Sequence, residues 1–357
     1  MENRCVLLIP ALNPPEYLNE YLELLKRRGF FSVIIVDDGS RAECRDIFEK
    51  AERQGCIVLH HQERRGKGAA LKTGMSCYLE RFSGKTDGIV TVNSDGSDSP
   101  EDIGKVAQAL GDVNKMRTNS LVLGVRDLNS PALSGARRVG NKISRMIYRL
   151  LMNIRLQDTL TGLRGIPDAG ITECTLLPGN GYEYETAMLI AWEHKGYIEM
   201  PASTQKSSSG AEAHYRPVRD TFQIYLVIFH KFLMFAMVSL SVSALDVFLF
   251  WLFTEHFLEG RTAYPIIWGT IIARVISASI NYVMNRRLVF QSNEDRRKSA
   301  SMFVVLSIVQ CMLSAVLVHA LEFISSADPV GLKIIVDVGL FFANYKVQHM
   351  FIFKKEE

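Results

Sequence analysis

Acidic and polar residues that could hold a metal ion occur at residues 92–100 (VNSDGSDSP). The apolar β-formers at residues 88–92 (GIVTV) predict a buried strand, so the polar stretch is predicted to be the loop at its carboxyl end. Carboxylate oxygens in such a loop suit a hard divalent cation that also binds a phosphorylated ligand. Asn93 stands where the first of two carboxylates would be expected. The loop is therefore open to three interpretations: a metal site, a weakened metal site, or a polar turn.

Three other loops are polar or turn-forming, at residues 10–13 (PALN), 37–40 (DDGS) and 65–68 (RGKG). Asp37 and Asp38 could accept hydrogen bonds from a base or a ribose, but a turn that caps a helix uses the same residue types. The glycines around Lys67 could cradle a phosphate through backbone N–H groups at a helix start. The chain has neither P-loop spacing nor a GxGxxG fingerprint, which disfavours a Rossmann dehydrogenase.

The elements that must position these loops alternate along the N-terminal part of the chain. Strand-like runs near residues 6–9, 33–36, 57–59, 89–92 and 121–123 alternate with helical patterns near residues 17–28, 42–54 and 68–82. This βαβ rhythm predicts an α/β fold with a doubly wound, mostly parallel sheet. Ligands bind beyond the carboxyl ends of the strands in such sheets, so the four polar loops are expected to converge at one edge.

A basic amphipathic helix is predicted near residues 137–154. Its apolar residues keep helical spacing, at Val139, Ile143, Met146, Ile147, Leu150, Leu151 and Ile154. The same stretch carries Arg137, Arg138, Lys142, Arg145 and Arg149. This combination indicates a helix that lies on a membrane surface. The alternative is an ordinary helix packed on the sheet.

The C-terminal part of the chain is mostly apolar. Four segments near residues 232–254, 264–284, 301–323 and 330–350 each have roughly the 20 residues needed to cross a hydrocarbon core. Basic residues concentrate in the gap after the second segment and in the tail, at Arg286, Arg287, Arg296, Arg297, Lys298, Lys354 and Lys355. By the positive-inside rule, this predicts a multi-pass protein of the cell membrane whose N-terminal domain is cytoplasmic. The alternative is a set of buried core helices in a soluble protein.

Composition narrows the function further. The net charge is +3, so the whole chain offers no electrostatic case for binding nucleic acid. Six cysteines are scattered without paired spacing, which indicates reduced thiols in a cytoplasmic chain. The N-terminus shows no signal peptide, in agreement with a first domain that stays in the cytosol.

The membrane part contains an internal repeat. Residues 281–290 (NYVMNRRLVF) resemble residues 344–353 (NYKVQHMFIF), with the Asn-Tyr pair and the final Phe at the same offset. This predicts a helical hairpin that is used twice. Asp246, Arg274 and Asp337 lie within the predicted spans, where an ionisable group indicates either a structural ion pair or a polar path.

Together, these motifs resemble glycosyltransferase family 2, in particular the dolichol-phosphate mannose synthase-like polyprenyl-phosphate glycosyltransferases. The matching stretches run in family order: IPALNPPEYL, VIIVDDGS, RGKGAALKTG, NSDGSDSPED, LGVRD, DTLTGLRG, GNGYEYET and HYRPVRD. The membrane part is similar to the GtrA-like four-helix family. The resemblance implies a cytosolic GT-A domain at residues 1–222 and a membrane domain at residues 223–357. No QxxRW motif is present, which disfavours a processive polysaccharide synthase.

The resemblance also implies roles for individual residues. Nucleotide binding falls to Pro10, Ala11, Leu12, Glu16, Asp37, Asp38, Lys67, Ser94 and Asp95. A Mg²⁺ or Mn²⁺ ion would be held by Asn93, Asp95, Ser97 and Asp98. The acceptor phosphate would meet Arg126, Arg138, His214 and Arg216. Catalysis is assigned to Asp95, Arg126, Asp158 and Arg164, of which the last two match a DTxTGxR motif. A sugar-binding or structural role is assigned to Glu183 and Glu185.

The function implied is transfer of a single sugar from a UDP- or GDP-hexose to a polyprenyl phosphate at the cytosolic membrane face. The reaction is expected to be metal-dependent and to invert the anomeric configuration. Expected partners are the nucleotide-sugar donor, the polyprenyl phosphate acceptor and membrane lipids, with no nucleic acid and with a homo-oligomer left open. The alternative is a membrane protein that binds or translocates a glycolipid and carries a degenerate glycosyltransferase domain.

Overall fold

The computed structural model describes residues 4–127, 135–203, 217–257, 264–324 and 329–353. The chain divides into two compact units, Met1–Ile228 and Phe229–Glu357. All six cysteines lie in described residues, and each is a free thiol.

The first unit is built on a seven-stranded sheet. Its strands are β1 (Cys5–Ala11), β2 (Val33–Asp37), β3 (Ile57–His60), β4 (Gly88–Thr91), β5 (Leu121–Arg126), β6 (Arg164–Pro167) and β7 (Tyr197–Ala202), in the spatial order β3-β2-β1-β4-β6-β5-β7. All pairs are parallel except those of β6, which runs antiparallel to β4 and β5. The predicted doubly wound, mostly parallel GT-A fold is therefore confirmed.

β1 lies at the centre of the hydrophobic core. Leu7 pairs with Val33 on one side and with Val90 on the other, and residues 6–9 are fully buried. A run of consecutive Val, Leu and Ile is what a parallel strand needs when helices cover both faces of the sheet. This rigid centre holds the carboxyl ends of β1, β2 and β4 at one edge.

Within residues 4–127 and 135–203, the first unit contains seven α-helices: α1 (Tyr17–Arg27), α2 (Arg45–Arg53), α3 (Lys67–Arg81), α4 (Pro100–Lys115), α5 (Gly135–Met152), α6 (Asp168–Leu176) and α7 (Glu183–Ala191). The helix predicted near residues 42–54 is split, because a 3₁₀ turn at Ala42–Cys44 precedes α2. α4 begins where Ser99 Oγ accepts the N–H of Asp102, with Pro100 in the first turn. These two residues stop the acidic loop from continuing and start the helix.

The sequence patterns did not predict β6. Its four residues, RGIP, are too short and too mixed to show strand periodicity. In the sheet, Arg164 pairs with Thr91 at the carboxyl end of β4. Because β6 is antiparallel, it begins at the edge where β4 ends, and this brings the DTLTGLR segment beside the acidic loop.

The second unit is helical. Its helices are α9 (Pro265–Met284), α10 (Arg296–Ile324) and α11 (Pro329–Val347), preceded by α8 (Pro217–Leu252), and π-helical turns follow at Phe253–Phe257, Asn285–Val289 and Gln348–Ile352. Within the described residues, three helical segments are long and apolar enough to cross a membrane: Asp220–Phe257, Ile266–Val289 and Arg296–Leu321. The fourth predicted span forms α11, which carries Lys333, Asp337 and Lys346 and is not one of these three.

The two copies of the internal repeat have the same local structure and meet each other. Each copy ends a helix and passes into a π-helical turn. Asn285 Nδ2 donates to Gln348 Oε1 at 3.2 Å, and the rings of Phe290 and Phe353 stack with centroids 5.3 Å apart. Three further ring contacts cross between the copies among the described residues: Tyr282 with Phe353 at 5.8 Å, Phe290 with Tyr345 at 5.9 Å and Phe290 with His349 at 5.7 Å.

The ionisable residues within the spans form ion pairs. Asp246 lies 3.3 Å from Arg274 and accepts from Ser277 at 2.6 Å. Asp337 lies 3.0 Å from Lys333, one helical turn away. Asp246 and Arg274 thus form the structural Asp–Arg pair between helices that was one of the predicted interpretations, whereas Asp337 pairs with a lysine of its own helix.

Candidate active site at the carboxyl edge of the sheet

Asp37 and Asp38 follow β2 and have different surroundings. Asp37 accepts the Ser40 N–H at 2.8 Å and lies 2.9 Å from His60 Nδ1. Asp38 accepts the backbone N–H groups of Arg65 and Gly66 at 2.9 and 2.7 Å. Asp38 therefore fixes the loop that leads into α3.

His61 links Asp38 to α3. Its Nδ1 lies 2.8 Å from Asp38 Oδ1, and its Nε2 lies 3.0 Å from Thr73 Oγ1 on α3. Both His61 and Asp38 are buried. A carboxylate can only accept a hydrogen bond, so the Nδ1 atom of His61 carries a proton and donates a hydrogen bond to Asp38.

The glycines beside Lys67 allow two segments of backbone to touch. A Cβ on Gly66 would lie 2.4 Å from the Asn180 carbonyl oxygen, and one on Gly68 would lie 2.5 Å from Tyr184 Cβ. The N–H of Ala69 donates to that same Asn180 carbonyl at 3.0 Å. The backbone N–H groups of Arg65, Gly66 and Ala69 therefore bind the protein itself.

Lys67 lies at the meeting point of three loops. Its Nζ is 3.0 Å from Glu185 Oε1 on α7 and 3.3 Å from Asn93 Oδ1 after β4. Gly162 completes the group, because a Cβ there would lie 3.0 Å from Asn93 Oδ1 and 3.1 Å from Lys67 Nζ. The structure thus brings together Lys67, Asn93, Gly162 and Glu185 from four separate parts of the sequence.

Glu183 and Glu185 separate into two roles. Glu183 Oε1 accepts the N–H groups of Asn180 and Gly181, both at 2.9 Å, and so closes its own loop. Glu185 instead points to Lys67. Of this predicted pair, only Glu185 faces the candidate site.

The acidic loop after β4 is organised by its own hydrogen bonds. The N–H and Nδ2 groups of Asn93 donate to Asp98 Oδ2 at 2.8 and 3.0 Å, and the Ser97 N–H donates to Asp95 Oδ1 at 3.0 Å. The Tyr21 hydroxyl donates to the Asp98 carbonyl. Burial raises the pKa of the Asp98 carboxyl to about 6; the charge of Asp95 adds to this rise and the Asn93 N–H opposes it.

The loop has the donor set of a hard-metal site without a preformed cage. Within the described residues, no three His, Cys, Asp or Glu side chains cluster around one point. The loop still offers the carboxylates of Asp95 and Asp98, close enough for one to raise the pKa of the other, and the Asn93 amide. A divalent cation would relieve that repulsion, and Mg²⁺ is commonly held by one or two carboxylates plus substrate phosphates. The residues therefore fit a cation that is bound mainly by the phosphates of a substrate.

Arg126 and Asp158 form a two-point ion pair at the carboxyl end of β5. The Nε and Nη2 atoms of Arg126 donate to the two oxygens of Asp158 at 2.7 and 3.2 Å. The Asp158 side chain is fully buried, whereas that of Arg126 is 26% exposed. Burial lowers the pKa of the Arg126 guanidinium, but Asp158 more than offsets this and the net shift is upward. Arg126 is thus a fixed cation with one side open.

The remaining predicted residues occupy varied positions. Arg164 is 1% exposed and donates to the backbone carbonyls of Thr161 and Glu185, which fits a support beneath the site. Ala11 is buried, and Glu16 is exposed at the start of α1. Pro10, Leu12, Ser94 and Ser97 are half-buried along the edge. Arg138 is exposed on α5, and His214 and Arg216 lie outside the described residues.

Two residues of the site were missed by the sequence interpretation. Asn141 on α5 donates to Asp158 at 2.6 Å, and His61 orders Asp38. Asn141 stands between basic and apolar residues in a helix that the pattern assigned to the membrane surface. The spacing of Asn141, Ser144 and Tyr148 on a single helical face was the available signal, and all three are buried.

Comparisons with known proteins agree with this division into two units. The model of glycosyl transferase family 2 matches residues 6–161, and that of the GtrA/DPMS transmembrane domain matches residues 234–353. The second match, with the three apolar helical segments, indicates a membrane protein.

Similar proteins come from two archaea and one bacterium. An uncharacterized protein of Methanocaldococcus jannaschii is 32% identical over 201 residues, which are 55% of this chain and 79% of the relative. The UDP-N-acetylglucosamine–dolichyl-phosphate N-acetylglucosaminyltransferase of Methanococcus voltae is 27% identical over 250 residues, 65% of this chain and 95% of the relative. Glucosyl-3-phosphoglycerate synthase of Mycobacterium tuberculosis, crystallised with Mn²⁺, UDP and glucosyl-3-phosphoglycerate, has a TM-score of 0.48 at 16% identity, covering 64% of this chain and 79% of that one.

Proposed function

The chain belongs to glycosyltransferase family 2, and from this premise we propose that it transfers one sugar from a UDP- or GDP-linked donor to a polyprenyl phosphate at the cytosolic face of the cell membrane. The relative in Methanococcus voltae is named as an enzyme that transfers N-acetylglucosamine from a UDP-sugar to dolichyl phosphate. The GtrA/DPMS domain would keep the enzyme where a lipid acceptor resides.

One observation carries this proposal: two cations flank the acidic loop. Both Lys67 and Arg126 act electrostatically on Asp98. They come from different elements, and each has its own carboxylate partner, Glu185 for Lys67 and Asp158 for Arg126. Transfer between a nucleoside diphosphate sugar and a lipid phosphate needs two such positions, because two anionic groups must approach the same carbon.

In the proposed mechanism, Lys67 and the loop at residues 93–98 receive the donor diphosphate. Asp95 would be the principal ligand of a Mg²⁺ or Mn²⁺ ion, with Asn93, Ser97 and Asp98 as further ligands, and this ion would supply positive charge for the departing diphosphate. Arg126 holds the acceptor phosphate beside the anomeric carbon. A phosphate oxygen is already anionic, so no strong general base is required.

The displacement is direct. An acceptor oxygen forms a bond to the anomeric carbon while the bond from that carbon to the donor phosphate breaks, and the electron pair leaves with the nucleoside diphosphate. Asp158 does not react, because its carboxylate is already engaged by Arg126. An α-linked donor therefore gives a β-linked product.

A panel of nucleotide-sugars tests the activity. We expect the purified full-length chain to convert one donor and polyprenyl phosphate to a glycosyl polyprenyl phosphate, detected by mass spectrometry, with a β-anomeric linkage by NMR. An α-linked product from an α-linked donor would contradict the inverting mechanism. Binding of the glycolipid without any transfer would favour the alternative of a degenerate domain.

Substitution of Asp95 tests the metal. Asp95→Ala should lower transfer by at least about a thousandfold, because both the cation and its charge at the leaving group are lost. Excess chelator should do the same to the wild type, and added Mg²⁺ or Mn²⁺ should restore it. Asp112→Ala, on α4, where the carboxylate pairs with Lys115, is the control. Full activity of Asp95→Ala would rule out the metal assignment.

A further inference from the structure

A buried hydrogen-bond network connects α5 to the end of β5. Asn141 is 1% exposed, and its Nδ2 donates to Asp158 Oδ1 at 2.6 Å. Its Oδ1 accepts the Thr159 N–H at 3.3 Å and lies 3.2 Å from Thr159 Oγ1. The network thus runs from the helix through a carboxylate to Arg126.

The chemistry of this network determines how the Asn141 amide is turned. Asp158 is an acceptor, and the Thr159 N–H is a donor. Turning the amide over would set its oxygen against a carboxylate and its NH₂ against an N–H group. The amide presents its NH₂ donor to Asp158 and its oxygen acceptor to Thr159, so asparagine suits this position.

Asp158 has no remaining freedom once these bonds are made. It accepts two bonds from Arg126, one from Asn141 and one from the Leu160 N–H at 2.9 Å. Four donors around a buried carboxylate hold it in one orientation. The direction in which Arg126 faces is therefore fixed by the same bonds.

We infer that Asn141 is a positioning residue for the acceptor: it orients Asp158, and Asp158 orients the guanidinium that receives the acceptor phosphate. This rests on the proposed function, because Arg126 must bind the acceptor. Asn141 does not touch the substrate; it sets the angle at which Arg126 meets it. A misaligned arginine loses the paired hydrogen bonds that favour a phosphate.

The first test separates binding of the two substrates. Asn141→Leu keeps the branched shape and removes all three hydrogen bonds of the Asn141 side chain. In the full-length enzyme we expect the acceptor KM to rise about tenfold, while donor KM and kcat at saturating acceptor stay within about twofold. Ser144→Ala is the matched control, because Ser144 is buried on the same helical face and contacts Thr159 at 2.9 Å but not Asp158. Equal loss of kcat with both variants would overturn the inference.

A double-mutant cycle tests the route through Arg126. Arg126→Lys alone should raise the acceptor KM, because lysine cannot make the two-point pair. In that background, Asn141→Leu should add no more than about twofold, since its target is already gone. Multiplied effects would show that Asn141 acts elsewhere and would overturn the inference. Asn141→Ala takes the place of Asn141→Leu in the cycle if the leucine variant melts below the assay temperature.

The wild-type enzyme separates the two proposals. If it transfers sugar to polyprenyl phosphate while Asn141→Leu retains the wild-type acceptor KM, the positioning role is wrong and the proposed function stands. If it glycosylates no polyprenyl phosphate with any donor, the proposed function fails, and the inference falls with it.

Discussion

Lys67 already has two partners at the position where a donor diphosphate would need it. Its ammonium contacts Glu185 and Asn93, and both side chains of the ion pair are mostly buried. Burial removes water from both members of an ion pair, and this desolvation offsets much of their attraction. A more highly charged diphosphate can therefore displace the Glu185 carboxylate from Lys67. Donor binding would exchange the Glu185 carboxylate for phosphate oxygens and leave Glu185 free to face the sugar.

Substitution of Lys67 tests this exchange. Lys67→Met should raise the donor KM about tenfold to a hundredfold, because a charge-assisted hydrogen bond contributes about 1.5–3 kcal/mol. Lys72→Met is the control, since Lys72 lies on the same helix and donates to the Leu177 carbonyl instead. Steady-state kinetics with varied donor measure the effect, and an unchanged donor KM in Lys67→Met would contradict the assignment.

Substitution of Glu185 should change the donor KM in the opposite direction. Glu185→Gln weakens the ion pair without removing the hydrogen bond, so Lys67 should be released more readily. We expect the donor KM to fall severalfold relative to the wild type, with isothermal titration of the nucleoside diphosphate showing the same direction. A rise of tenfold would mean that Glu185 supports the donor directly.

Sequence patterns identified these residues but not their division of work. Glu183 and Glu185 are two positions apart, and one closes a loop while the other meets a lysine more than a hundred residues earlier in the chain. Asp37 and Asp38 diverge in the same way. Contacts between distant loops determine which member of each pair faces the site. The spacing of residues within one loop cannot predict these contacts.

At the scale of elements, α5 has three distinct faces. Asn141, Ser144, Tyr148 and Leu151 are buried, whereas Val139, Ile143, Met146 and Leu150 are exposed in helical register. Exposed Lys142, Arg145 and Arg149 flank this apolar stripe. A stripe of this kind beside basic residues is the surface expected of a helix that lies on an anionic bilayer. The periodicity predicted the helix and its charge but not the third, buried face.

Depth measurement by spin labelling tests the seating of α5. A label at Met146→Cys, in a background with Cys44→Ser and Cys311→Ser, should be accessible to oxygen and shielded from an aqueous nickel chelate in anionic vesicles. The control label is at Met116→Cys, an exposed position after α4, which should show the reverse. Equal access of the nickel chelate to both labels would show that α5 faces water.

At the scale of the whole molecule, the chain combines a compact α/β unit with a helical membrane unit. The apolar lengths predicted the second unit because crossing a bilayer imposes a length that folding in water does not. The π-helical turns were not predicted, since neither length nor hydropathy distinguishes a π-helical turn from the end of an α-helix. The sheet was predicted to be mostly parallel, but its strand order was not predicted, because β6 left no periodic signal.

Acceptor length tests how the two units work together. A chain that ends at Ile228 should transfer sugar to a short, water-soluble prenyl phosphate within about threefold of the full-length rate. With a long polyprenyl phosphate in vesicles it should lose at least about tenfold, because the membrane unit no longer keeps the enzyme at the bilayer. Radiolabelled donor and product extraction measure both rates. Equal losses on the two acceptors would contradict a role for the membrane unit in lipid access.

The contacts between the two repeat copies are reciprocal. Asn285 and Gln348 occupy equivalent positions and touch, as do Phe290 and Phe353, and each Tyr of the Asn-Tyr pairs meets the other copy's Phe. Self-pairing of equivalent residues is the signature of a two-fold axis. The contact between the two copies therefore has local two-fold pseudosymmetry, and the pairing of Asn285 with Gln348 departs from that symmetry by one methylene group.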